Sequence, residues 1–136
     1  MTEPGPQEAF VHLMVAMATA DGTITDKELR ELGDLLRTLP VFEGFDMDRL
    51  DEIARHCGAL LAREDGLDRI IANVVSAVPP RMYETAYALA VEVAASDIAA
   101  SQPELRFLEM LRDGFELDRL VSGAIEHSAR VRYRRL

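Results

Sequence analysis

Apolar residues recur along this chain mostly at three- and four-residue intervals, the spacing that puts side chains on one face of an α-helix. Seven stretches carry the pattern. From Gln7 to Ala20, Phe10, Leu13, Met14, Met17 and Ala18 share a face; the next stretch, to about Leu39, aligns Leu29, Leu32, Leu35, Leu36 and Leu39. A third helix, opened by Asp46 or Asp48, carries Leu50, Ile53, Ala54, Cys57, Leu60 and Leu61. The fourth has Leu67, Ile70, Ile71, Val74, Val75 and Val78, a wide apolar surface that predicts the central helix of a bundle. The fifth, about Arg81 to Ala95, turns Tyr83, Ala86, Tyr87, Ala90, Val93 and Ala94 inward. The sixth carries Leu105, Leu108 and Leu111 and ends near Gly114-Phe115. Asp118 opens the seventh, with Val121, Ala124 and Ile125.

The punctuation agrees with this division. Gly22 suits a helix end, Pro40 and Pro79-Pro80 stop the second and fourth helices, and Asp65-Gly66 separates the third from the fourth. Thr25-x-x-Glu28 is a capping-box pattern, in which each side chain takes a backbone N–H of the helix it opens. Phe42 and Phe45, in the loop from Val41 to Asp46, are expected against the core. The prediction is an all-α fold: residues 1–6 a flexible leader, 7–129 one compact bundle of about seven helices, 130–136 a basic C-terminal tail.

Shifting the chain by 76 positions lays its second half on its first. Leu13 meets Leu89, Ala18 meets Ala94, Asp21 meets Asp97, Thr25 meets Ser101 and Glu28 meets Glu104. Leu29, Leu32 and Leu35 then meet Leu105, Leu108 and Leu111. This predicts two helix–elbow–helix repeats related by approximate two-fold symmetry, with their elbows close together. The copies have diverged: Ile98 stands in the place of Gly22, where a β-branched residue resists positive φ, and Gln102 replaces Asp26.

The first elbow, Ala20-Asp21-Gly22-Thr23-Ile24-Thr25-Asp26-Lys27-Glu28, concentrates the candidate chemistry. A carboxylate at Asp21, following a helix C-terminus, faces the negative end of the dipole and needs an offsetting partner. Two readings stay open. Backbone N–H groups of the next helix can supply it through an Asx-type turn, which makes the acids caps. Alternatively a hard divalent cation, calcium or magnesium, is held by Asp21, Asp26 and Glu28, with Asp97 and Glu104 from the second elbow. Gly22 to Glu28 matches the second half of an EF-hand loop, but Met17 and Thr19 occupy the places of its leading carboxylates, so no EF-hand is present.

The pattern Ala-Asp-Gly-x-Ile-x-x-x-Glu-Leu, echoed after a proline-rich turn and a second alanine-rich helix, resembles the TerB-like tellurite-resistance family over about residues 8–118. The resemblance implies an all-helical fold, acidic residues engaged with metal, and no catalysis. It also implies a bacterial stress system working near the membrane with partner proteins. Carried onto this chain, the matching acids are Asp21, Glu28, Asp97 and Glu104; the second copy lacks the family's Asp-Gly.

Composition narrows the alternatives. At 136 residues and 49% hydrophobic, the chain is one domain able to bury roughly two-thirds of its unfolded surface. A net charge of −9 argues against nucleic-acid binding, which requires clustered positive charge. Arg130, Arg132, Arg134 and Arg135 run against that trend, and suit either peripheral contact with anionic lipid or an acidic patch on a partner, or a helix end complementing its own dipole. His12, His56 and His127 show no zinc-ligand spacing, and His56 and Cys57, adjacent on a helix, point apart. The lone Cys57 reads as a small core residue in a reducing compartment. No signal peptide, membrane span, phosphate loop or nucleophile elbow is evident, so a cytoplasmic, non-enzymatic protein is expected. Its elbows either hold a cation or serve only as caps of a scaffold that binds a protein partner.

Overall fold

The computed structural model describes residues 5–20, 24–96 and 102–136. It holds seven α-helices and, among the described residues, no strand: α1 (Pro6–Ala18), α2 (Asp26–Thr38), α3 (Leu50–Leu61), α4 (Gly66–Ala77), α5 (Tyr83–Ala95), α6 (Gln102–Phe115) and α7 (Arg119–Arg132). Single 3₁₀ turns at Pro40–Phe42, Met47–Arg49 and Pro80–Met82 lead out of α2 and into α3 and α5. The all-α fold is as the periodicity predicts.

The centre of the bundle is α1 rather than α4. Every residue from Ala9 to Ala18 is buried, because α3, α4 and α5 all pack against α1. A helix enclosed on all sides is apolar all round, and from Ala9 to Ala18 α1 is so except at His12. The wide apolar face of α4 is only half used: Ile70 and Val74 are buried, while Ile71 and Val75 stay at the edge of the core. The second enclosed helix is α5, held between α1, α6 and α7, with its alanines Ala86, Ala90 and Ala94 allowing close approach.

Local signals mostly act as the sequence implies. The Asp46 side chain accepts a hydrogen bond from Asp48 N at 3.0 Å, and Asp118 accepts one from Leu120 N at 2.7 Å, opening α7. Phe42 contacts both Phe10 and Phe45 edge-on, which tucks the loop after α2 onto the core. Gln7 Nε2 donates to the carbonyls of Val41 and Glu43 and ties the same loop to α1.

Three features differ from the sequence reading. First, α1 stops at Ala18, where the Thr19 hydroxyl donates back to the Val15 carbonyl at 2.9 Å; Gly22 lies outside the described residues. Second, α6 ends at Phe115, where the sequence places it, but the last turn is closed by a residue the sequence reading did not name, Glu116, whose φ of 53° lets Leu117 N donate to the Arg112 carbonyl. Third, Leu105 is 46% exposed and Phe107 takes the fully buried place on that face. The helix also continues through 130–132, so the basic segment is helical up to Arg132.

Candidate functional site

A depression of about 360 Å³ opens where the C-terminal ends of α1 and α5 meet α2. Ala18 lines it from α1, Val93 and Ser96 from α5, and Glu28, Glu31 and Asp34 from α2. The α2 acids recur every three residues, so they stand along one flank of the helix. Glu92 and Tyr133 complete the wall. The residues flanking the two elbows thus reach one cavity, and four carboxylates line it.

The carboxylates are partly committed. Glu92 accepts a hydrogen bond from the Tyr133 hydroxyl at 2.7 Å and pairs with Arg132. Burial, then the Glu92 hydrogen bond and charge, push the Tyr133 phenol up to about 12, so it stays a donor at any ordinary pH. Asp34 pairs with Arg37 at 3.3 Å, an exposed contact of little energetic weight.

Glu28 is the one predicted ligand that both lines the depression and has described surroundings there. Its Oε1 accepts from Thr25 N at 3.2 Å and from the Thr25 hydroxyl at 2.9 Å, while Glu28 N donates to Thr25 Oγ1 at 3.1 Å. The capping box is therefore complete. Replacing Thr25 with alanine is expected to cost about 1 kcal/mol, read as a shift in the urea midpoint at unchanged slope.

The other predicted ligands separate. Asp26 is exposed in the first turn of α2 and does not line the depression. Glu104 is only 2% exposed in the first turn of α6, where the helix N-terminus favours a carboxylate, and it is engaged within the protein. Asp21 and Asp97 lie outside the described residues. Among the described residues, no three His, Cys, Asp or Glu side chains gather closely enough to hold a metal ion. Glu31 and Asp34 could have been found from their spacing after Glu28; Glu92 could not, because only the packing of α5 beside α2 brings it in.

A second cluster lies where α1 meets α3. His12, 4% exposed, stacks on His56 of α3 with ring centroids 5.9 Å apart. Cys57 donates its thiol to the His12 carbonyl at 3.4 Å, and burial pushes that thiol up to about 12, well outside the range of a reactive thiolate.

Fold and site define a class: a small all-helical domain wrapped around two buried helices, whose C-terminal ends open on an acidic depression. The family model described as Tellurite resistance protein TerB matches residues 7–126. The chain belongs to this family, whose domains are helical and non-catalytic. No curated protein and no solved structure matches it. No helix among the described residues is long and apolar enough to cross a membrane.

Proposed function

We propose that the chain is a non-enzymatic, cytoplasmic module of a bacterial tellurite-resistance or general stress-response system, acting through a protein partner. In this reading its elbows respond to a divalent cation, calcium or magnesium. Asp21, Asp26 and Glu28 would be its ligands, with weaker help from Asp97 and Glu104. The observation that carries the reading is the single acidic depression shared by the flanks of both elbows. Carboxylates facing one depression repel one another, and a cation between them would stabilise the folded state by mass action.

A second reading is favoured by the closed Thr25–Glu28 box: the elbows are junction caps of a metal-free scaffold. Thermal melts in calcium, magnesium and EDTA separate the two. The cation reading expects Tm to rise with one ion and the rise to vanish in Asp21→Asn/Glu28→Gln. A Tm indifferent to all three conditions assigns the acids to capping alone.

A further inference from the structure

Next to the acidic depression, and sharing Tyr133 with it, the bundle carries a different kind of surface. Helices α6 and α7 both pack on α5 and splay apart from a short turn at 116–118, leaving a groove of about 710 Å³ between them. Its floor is α5, with Tyr87, Val91 and Ala94 at helical spacing. At the apex the walls are tied together: Arg112 of α6 and Tyr87 of α5 both donate to Glu126 Oε2 of α7, at 3.0 and 2.7 Å. Burial and the Glu126 contact raise the Tyr87 phenol, so this knot remains hydrogen-bonded throughout the physiological range. Toward the mouth the rim turns outward and apolar, with Leu105 46% and Tyr133 42% exposed.

The charge of this groove opposes that of the molecule. Four arginines and two glutamates line it, in a chain of net charge −9. Arg112 is used by Glu126 and Arg106 by Glu109, at 3.4 Å. Arg130, in the last turn of α7, and Arg134, just beyond its end, have no ion pair among the described residues. Each wall helix has 14 residues, about 21 Å of length, which accommodates three to four turns of another helix. Exposed tyrosine and arginine around an apolar floor is the composition of an interface centre.

We propose that the α5–α6–α7 groove receives an acidic amphipathic helix of a partner protein. Its apolar stripe would lie on Val91, Ala94 and Leu105, and carboxylates beside that stripe would face Arg130 and Arg134. A helix laid in a groove reads its partner through such a stripe and through charge register. A lipid surface fits less well, because these arginines flank a concavity with an apolar floor instead of a flat or convex face. Arg132, the third basic residue of this turn, is turned away to Glu92.

The test is display selection of 16-residue helical peptides of varied charge against the full chain in EDTA, which removes any contribution from the elbows. Enriched peptides should carry acids beside an apolar stripe. Arg130→Glu/Arg134→Glu should weaken the best of them at least tenfold, and Leu105→Asp should do likewise. Arg30→Glu/Arg81→Glu, the same charge change on exposed sites outside the groove, should stay within twofold. Circular dichroism should show all variants folded, since the altered side chains are solvent-facing. The proposal is overturned if no peptide is enriched, if enriched peptides are neutral or basic, or if binding ignores the Arg130/Arg134 reversal. Flotation with phosphatidylglycerol–phosphatidylcholine (1:3) vesicles is run alongside. Flotation lost on that reversal, with no peptide enrichment, would reassign the two arginines to a membrane and equally overturn it.

Discussion

Gly66→Ala is expected to destabilise the protein by roughly 3 kcal/mol or more, a fall in Tm on the order of 10 °C. Gly66 is buried at the first position of α4, directly under the end of α3. A Cβ there would sit 2.1 Å from the Leu60 carbonyl oxygen and 2.9 Å from Leu61 Cα, both backbone atoms that cannot rotate away. Relief requires α4 to move off α3, yet both helices are packed on α1 and Gly66 N is held by the Arg63 carbonyl at 3.1 Å. The backbone angle is not the obstacle; contact is. Gly58→Ala provides the control. Gly58 is exposed within α3, with nothing within 4 Å of its would-be Cβ, so alanine should stabilise by about 0.5–1 kcal/mol. Urea denaturation of both variants checks the pair, and equal effects would refute the contact argument.

How far the sequence could be read follows from the kind of information each feature needs. The helices were legible because their periods, caps and breakers are local: Thr25 with Glu28, Asp118 before Leu120, Pro79-Pro80 after α4. Which helix lies in the centre was not. The one-sided stripe first seen in α1 is really an all-round apolar surface once Val11, Val15 and Ala16 are included. The stronger-looking α4 lost because β-branched residues mark apolarity without saying how many neighbours will cover it. The repeat pattern assigned Leu105 to the core by its match to Leu29. It could not anticipate that α6 and α7 diverge over α5 and leave that leucine on a groove wall.

The candidate site was legible only in part. Glu28 was named with its cap, and Glu104 was singled out by the same register, which placed a carboxylate in the first turn of α6. The depression itself is tertiary: Glu31 and Asp34 have a local spacing that could have flagged them, whereas Glu92 and Tyr133 reach it from distant segments. The Arg112–Glu126–Tyr87 knot joins three helices and leaves no local trace at all. A charge count alone pointed away from the arginine-lined groove, because a net value of −9 hides how the signs are distributed.

Acid sensitivity of the core should be governed by His12. Its imidazole is buried within the central helix, and Nε2 has no hydrogen-bond partner among the described residues. Burial lowers its affinity for a proton below the ordinary imidazole value of 6.5; Glu8 acts in the opposite direction, and His56 adds to the lowering. Arg49 holds Glu8 at 3.0 Å, which limits that carboxylate's pull. The unfolded chain therefore binds a proton near pH 6.5 while the folded chain does not. Between 6.5 and the depressed native value the unfolded state holds more protons, so stability falls as pH falls through that window and is fully retained above it. The slope from this one group approaches, at most, about 1.4 kcal/mol per pH unit. His12→Leu, close in volume and without a polar atom to strand, should match or exceed the parent at pH 8 and exceed it clearly at pH 5.5. Chemical denaturation of both proteins at the two pH values isolates the difference from the many carboxylates that titrate in common. Parallel pH profiles would show that the unfolded chain gains nothing by protonating His12, and that the central helix tolerates the charge.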